Sequence, residues 1–345
     1  MKREYPGYMM TSIEQAIDEI CQQFSDGRFH LCDIQAVSAT SRRITLTGSA
    51  LDKATLTAVT NHIYNQYPHA EIDATAVTIL RQPAPTLLTV NVPITDLRGG
   101  PGWASEQYSQ LFNGETVEFL REDGRWAFAR QMDGYLGWVY RPYLGMDKPA
   151  EATHLVCEPV GLLRQTPQAD APLVSRVLGG TAVTVSRSEG GWHCLELYGG
   201  LSGWLPDEQL RARSARPQEA DAIRQQLVGD ARRFVGVPYL WGGRSGYGLD
   251  CSGFVQLIYR LAGLTLPRDA DLQMAGGRAI APPFRPGDLL FFGESGGHRH
   301  ISHVGMSLGG WQMIHASRGR NGVYEDDVQA VGHLRESFVG AASYL

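Results

Sequence analysis

One cysteine and two histidines carry most of the chemistry that this chain offers. Cys251 stands in Asp250-Cys251-Ser252-Gly253-Phe254, just after the glycine-rich run Trp241-Gly242-Gly243-Arg244-Ser245-Gly246-Tyr247-Gly248. Phe254, Leu257, Ile258 and Leu261 recur at spacings of three and four, which marks one apolar helix face, and Gly263 supplies a stop. The pattern predicts Cys251 at the first turn of a helix, where unpaired N–H groups and the helix dipole favour negative charge. That setting is expected to lower the thiol pKa. His303 lies in His303-Val304-Gly305-Met306-Ser307-Leu308 and His315 in Trp311-Gln312-Met313-Ile314-His315-Ala316. Joined by Gly309-Gly310, these runs read as a β-hairpin that brings the two imidazoles close, with the register left open. A thiol nucleophile needs a base, and the base needs a third group to fix its tautomer. Cys251, His303 and His315 supply those roles in that order.

The rest of the chain must position these groups. At 345 residues the length suggests two to three domains. A hydrophobic content of 43% and a charged content of 19% are those of a globular protein, and a net charge of −5 offers no basic field for nucleic acid. No run of apolar residues is long enough for a membrane span. The first ten residues lack the apolar segment of a signal peptide, and Thr11 to Phe24 reads as an amphipathic helix with acidic residues. A cytoplasmic location is therefore expected, or the cell envelope if a native leader has been lost. Five cysteines (Cys21, Cys32, Cys157, Cys194, Cys251) are odd in number and show no framework spacing, which suits a reducing cytosol in which Cys251 stays free.

An internal repeat occupies the middle. A gapless shift of 66 residues aligns Pro93 with Pro159, Leu97-Arg98 with Leu163-Arg164, Gly114 with Gly180, Trp126 with Trp192 and Gly137-Trp138 with Gly203-Trp204. Each copy shows short alternating strands between turn signals, the pattern of a small barrel. Ahead of the repeat, Arg43 to Gly48 reads as a strand, Ala54 to Tyr67 as a helix and Ala70 to Leu80 as a strand. Leu80 to Pro85 and Arg211 to Glu219 read as linkers.

From about Val228 to Tyr344 the sequence resembles the NlpC family of bacterial cell-wall cysteine peptidases. Four blocks carry the resemblance: Pro238-Tyr239-Leu240-Trp241-Gly242-Gly243, Asp250-Cys251-Ser252-Gly253-Phe254, Pro286-Gly287-Asp288-Leu289-Leu290-Phe291-Phe292, and His303-Val304-Gly305 with Ile314-His315-Ala316. Both repeat copies resemble bacterial SH3-like domains, and residues 1–82 loosely resemble the BON type of domain. The expected architecture is α+β: an N-terminal α+β unit (1–82), two SH3-like barrels (86–147 and 152–212) and a papain-like peptidase domain (218–345).

The resemblance implies Cys251 as nucleophile, His303 as base and His315 as the orienting residue, with Tyr239 at the active site. It implies hydrolysis of the amide between γ-D-glutamate and a diamino acid, meso-diaminopimelate or lysine, in peptidoglycan-derived peptides. Asp250 precedes the nucleophile, Ser252 offers an oxyanion N–H, and Arg268 and Asp269 are candidates for a substrate carboxylate and amine. The copies differ where Glu106 and Tyr135 of the first stand as Pro172 and Leu201 in the second. Related peptidases close one end of the cleft with the first SH3-like domain, so Glu106 and Tyr135 are candidates for a free N-terminal L-alanine amine. Such a requirement suits the recycling of short murein peptides. His298, His300, His303 and His315 would offer imidazoles to a metal, but the first two fall in a Gly-rich loop without a carboxylate nearby. No metal and no cofactor is expected. The competing readings are a wall-binding or scaffold protein with an inactive peptidase fold, and an acyltransferase on the same fold.

Overall fold

A computed structural model describes residues 6–293 and 301–345 of the chain. It is a mixed α+β protein whose strands outnumber its helices, in keeping with its many glycines and prolines. The chain begins with α1 (Pro6–Cys21), β1 (Cys32–Ala39), β2 (Arg43–Ala50), α2 (Lys53–Gln66) and β3 (Glu71–Ile79). The first repeat copy supplies β4 (Thr86–Val90), β5 (Ile94–Arg98), β6 (Gln107–Phe112), β7 (Thr116–Asp123), β8 (Trp126–Gln131), β9 (Leu136–Tyr140) and β10 (Leu144–Gly145). The second supplies β11 (His154–Val156), β12 (Val160–Arg164), β13 (Leu173–Leu178), β14 (Ala182–Glu189), β15 (Trp192–Glu196), β16 (Ser202–Pro206) and β17 (Leu210–Ala212). Then follow α3 (Ala220–Arg233), β18 (Arg244–Ser245), β19 (Gly248–Leu249), α4 (Cys251–Leu261), α5 (Ala270–Gly276) and β20 (Arg278–Ile280). The chain ends with β21 (Leu289–Gly293), β22 (Ile301–Gly309), β23 (Gln312–Ser317), β24 (Gly322–Asp327), α6 (Gly332–Ser337) and β25 (Phe338–Ser343).

Two compact units result: residues 1–87 with 117–138, and residues 88–116 with 139–345. In the first, β1 pairs antiparallel with β2, and β2 pairs parallel with β3 across the connection made by α2. Asp52 caps α2 by accepting from the Thr55 N–H at 2.9 Å. Ile13, Ile17 and Ile20 of α1 meet Val59 and Ile63 of α2 over Ile34, Ile44 and Leu46 of the sheet. Cys21 and Cys32, with Cα atoms 5.7 Å apart, are joined by a disulfide. The cysteine spacing, read as suiting a reducing cytosol, gives no sign of this pair. The end of α1 and the start of β1 bring the pair together, while Cys157, Cys194 and Cys251 remain free and buried.

The second unit holds the second repeat copy and the C-terminal α+β region. Strands β12 to β17 reproduce β5 to β10 at the same shift of 66 residues, so the duplication is one of structure as well as sequence. The turns repeat too: Gly114 and Gly180 both take positive φ (79° and 89°), a conformation that costs glycine little. In the second copy the strands run antiparallel in the order β13-β12-β16-β15-β14-β11-β17 around Val156, Leu163, Val177, Leu195 and Leu205. The expected linker at Arg211 to Glu219 starts late. Arg211 is a strand residue whose guanidinium binds the Asp230 carboxylate of α3 through two contacts of 2.7 and 2.8 Å.

The C-terminal region packs α4 against a six-stranded sheet ordered β20-β25-β21-β22-β23-β24. Apart from Arg260, every residue of α4 is buried. Phe254, Leu257, Ile258 and Leu261 enter a core with Leu289, Phe291, Val304, Met306 and Ile314. Both repeat copies reach α4. The Glu115 carboxylate takes Arg260 Nη1 at 2.7 Å and Arg244 Nη2 at 3.5 Å, and the Phe112 ring lies 5.0 Å from the Arg244 guanidinium and 5.8 Å from that of Arg260. Arg260 Nε donates to the Gly180 carbonyl at 2.8 Å. A Cβ on Gly180 would come within 2.5 Å of Leu257, so this turn tolerates only glycine against the helix.

Burial would push the Glu115 carboxyl up, but Arg244 and Arg260 outweigh it and hold it below the usual value. A depressed folded-state pKa means that this stabilisation is present above the ordinary carboxylate pKa and is lost as pH falls through the folded value. Glu115→Gln leaves two cations facing a neutral amide. It is expected to destabilise the fold by about 2 kcal/mol in urea unfolding at neutral pH, less than a fully enclosed pair would lose. The difference from wild type should shrink on acidification.

Candidate active site

The candidate nucleophile is held by the cap of its own helix. Asp250 is extended at the N-cap and accepts from the Gly253 N–H at 2.6 Å, which leaves Cys251 as the first residue of α4. Its other oxygen accepts from the Gly242 N–H at 2.9 Å, so the glycine-rich loop is tied to the same carboxylate. Arg268 binds both oxygens, at 3.1 and 2.6 Å, and also reaches Ser252 Oγ (2.9 Å) and Ser109 Oγ (3.1 Å). Asp250, Ser252 and Arg268 are all buried. Arg268 thus lies beneath the helix start, paired with Asp250.

The backbone N–H groups of Ser252 and Val304 both point at the Cys251 sulfur and favour its thiolate. Burial and the adjacent Asp250 carboxylate prevail, and the thiol is pushed up to about 12. The expectation of a lowered thiol pKa is therefore corrected. The helix start is there, but the residue that caps it is an anion, and the thiol is buried.

The hairpin β22–β23 pairs Met306 with Ile314, which sets Gly305 against His315. A Cβ at Gly305 would fall 3.0 Å from that of His315 and 2.3 Å from Met313 Sδ, so the bare position gives the ring room. His303 Nε2 lies 2.6 Å from His315 Nδ1. His315 Nε2 lies 2.9 Å from Asp326 Oδ2, and Arg320 Nη1 donates to Asp326 Oδ1 at 2.7 Å. A carboxylate only accepts, which fixes every tautomer in the chain. His315 Nε2–H donates to Asp326, so His315 Nδ1 accepts, so His303 Nε2–H donates. The lone pair of His303 is left on Nδ1. Burial, with His315 and His333 nearby, pulls the His303 pKa down to about 3, so the ring is neutral and able to take a proton.

Sequence reasoning misses Asp326. It sits in the acidic run Glu325-Asp326-Asp327, where nothing in the sequence separates it from a solvated charge. Its role depends on β24, which pairs His315 with Tyr324 and so puts Asp326 two residues along the same face.

Of the other sequence-predicted residues, Tyr239 is half-buried and bridged to Leu249. Its phenol pKa is raised by burial and then by Cys251 and Asp250, which marks it as their neighbour. Glu106 is exposed, and its Oε1 accepts from Trp241 Nε1–H at 2.8 Å. Asp269 is the N-cap residue of α5, partly buried, with its carbonyl accepting from the Gln273 N–H at 2.9 Å. Tyr135 belongs to the first unit; it is buried, with its ring edge-on to Phe29 at 5.5 Å. His298 and His300 lie outside the described residues.

A neutral thiol at a helix start, beside a strand that presents an imidazole with a fixed free lone pair, defines a thiol hydrolase of α+β fold. Residues 236–341 match the model of the NlpC/P60 family. A gamma-D-glutamyl-L-lysine dipeptidyl-peptidase of Bacillus cereus (strain ATCC 10987 / NRS 248) is 29% identical over 256 residues, 70% of this chain and 76% of that protein. The protein of the same name from Bacillus subtilis (strain 168) is 29% identical over 222 residues, 61% and 72% of the two chains. The crystal structure of an NlpC/P60 family protein from Bacillus cereus ATCC 10987 shares the fold at a TM-score of 0.66, covering 75% of this chain and 99% of that one at 24% identity. The chain is a cysteine peptidase with an NlpC/P60 domain.

Two measurements check the site's protonation. Alkylation of resting Cys251 by iodoacetamide, located by mass spectrometry, is expected to accelerate up to and beyond about pH 9 without levelling off, since the thiolate is scarce below that. A plateau near neutrality would refute the buried neutral thiol. Nitrogen-15 NMR is expected to find His303 Nδ1 unprotonated and Nε2 protonated around neutral pH. Asp326→Ala should replace that single tautomer with a mixture.

Proposed function

We propose that this peptidase hydrolyses the bond between γ-D-glutamate and an L-diamino acid in short peptidoglycan-derived peptides, and that it prefers a free N-terminal L-alanine. The observation that carries the catalytic half of this proposal is the polarised chain Asp326–His315–His303, which leaves one basic nitrogen for Cys251. In this reading the Cys251 sulfur attacks the γ-glutamyl carbonyl carbon while its proton passes to His303 Nδ1. The N–H groups of Cys251 and Ser252 then stabilise the oxyanion. As the C–N bond breaks, His303 returns the proton to the leaving amine, and a thioester remains. Water, deprotonated by the same nitrogen, releases the acid and restores the thiol.

The bond assignment draws support from the names of the relatives. Support for the amine preference comes from Glu106: with Oε1 held by Trp241, its Oε2 has no protein partner among the described residues. An acylated alanine would leave that carboxylate without a cation. On the same reading, the two repeat copies are SH3-like modules, the catalytic domain is papain-like, and the product peptides feed murein recycling. Asp250 and Arg268 act by holding the cleft together, while Tyr239 and Asp269 are taken as substrate contacts.

Mass spectrometry of defined tripeptides tests this reading. L-Ala-γ-D-Glu-L-Lys or its meso-diaminopimelate counterpart should yield L-Ala-D-Glu and the free diamino acid, and Cys251→Ala should abolish the reaction. N-acetylation of the alanine should slow cleavage by at least about tenfold in wild type but much less in Glu106→Gln. Cleavage of intact cross-linked sacculi at the same rate as tripeptides would overturn the recycling role.

A further inference from the structure

The cations near the nucleophile are mostly spent. Arg268 is buried against Asp250, and Arg320 is held by Asp326 while its guanidinium lies 4.2 Å over the Tyr324 ring. Arg318 differs from both. It is exposed, and among the described residues its guanidinium has no hydrogen-bond or ion-pair partner.

The position of Arg318 is set by backbone. It stands in the turn between β23 and β24, which closes where Ser317 pairs with Gly322. The next residue, Val323, donates to the Val237 carbonyl and accepts from the Gly236 N–H, both at 3.0 Å. That ladder continues into Tyr239, which is bridged to Leu249, two residues before Cys251. The turn is thus one short strand away from the nucleophile, and Arg318 and Cys251 both act on the Tyr239 phenol, in opposite directions. The same hairpin carries His315, three residues earlier, and through it His303. Its side of the cleft is where a leaving amine receives its proton.

We propose that Arg318 is a specificity-determining residue that pairs with a carboxylate of the departing diamino acid. The assignment rests on the γ-D-glutamyl bond proposed above as the one cleaved. Two carboxylates meet the description: the terminal α-carboxylate of a tripeptide and the distal carboxylate of meso-diaminopimelate. A planar guanidinium suits either, because it offers two parallel donors to one carboxylate.

The test compares wild type, Arg318→Gln and Arg318→Lys on three peptides: L-Ala-γ-D-Glu-L-Lys, its C-terminal amide, and the α-amide of the meso-diaminopimelate peptide. On at least one carboxylate-bearing peptide, Arg318→Gln is expected to raise KM about fivefold with kcat nearly unchanged, the size of a partly exposed ion pair. On the lysine amide, which carries no carboxylate there, the two enzymes should agree. Arg318→Lys, which keeps the charge but loses the paired donors, should recover only part of the loss, and added salt should shrink it. An effect on the free lysine acid assigns the α-carboxylate; an effect on the diaminopimelate α-amide assigns the distal one. Equal losses on all three peptides, or none on any, would overturn the proposal while leaving the bond assignment intact. If wild type cuts none of the three, the bond assignment fails and Arg318 loses its role with it.

Discussion

The buried contact between Asp250 and Arg268 constrains everything around the nucleophile. Removing two charges from water is costly unless their hydrogen-bonding capacity is met inside. Here it is met by useful partners: the first turn of α4, the glycine-rich loop through Gly242, Ser252 and, by way of Ser109, strand β6. Removing Arg268 would leave a buried anion and cut the link between the start of α4 and Ser109 of β6. The same arrangement has a chemical consequence. The carboxylate that fixes where Cys251 sits also disfavours the thiolate, so geometry and reactivity pull against each other within a single helix turn.

The duplicated segment shows how a repeat can come to serve a third element. Equivalent turns, one ending at Glu115 and the other at Thr181, face the same stretch of α4. The first contributes a carboxylate and the Phe112 ring; the second contributes a carbonyl and a glycine that lets the helix approach. Thr181, at the position of Glu115, is buried with its hydroxyl unpaired. A second carboxylate there would lack a second pair of arginines. Divergence at this single position therefore presents Arg244 and Arg260 with a lone anion and a neutral neighbour, and avoids competition between two anions.

The helix, the hairpin and the repeat are legible in the sequence because each leaves a periodic or translational trace. Phe254, Leu257, Ile258 and Leu261 declare a helix face, and Gly309-Gly310 declares a hairpin. The shift of 66 residues carries through to strand boundaries. What sequence does not convey depends on pairing between distant segments. Asp326 gains its meaning from β24 register, Glu115 from two arginines more than a hundred residues away, and the disulfide from where α1 ends. The thiol pKa escapes sequence reasoning for a related cause: the helix dipole is local and visible, whereas burial and the orientation of the capping carboxylate are tertiary. Arg268 belongs to the same group: beside Asp269 it reads as a partner for a substrate carboxylate, and only the fold shows it buried against Asp250.

With the thiol held up and the imidazole held down, the resting pair is neutral, and in the proposed reaction separating charge between them is unfavourable before substrate arrives. Proton transfer and carbon–sulfur bond formation must then proceed together, because the attack itself moves negative charge off sulfur and onto the carbonyl oxygen, where backbone donors wait. In that proposed reaction the positive charge that appears on His303 can be shared through His315 toward Asp326, which Arg320 holds in place. In the proposed reaction the substrate carbonyl supplies the electron sink that turns the neutral Cys251 thiol into a nucleophile.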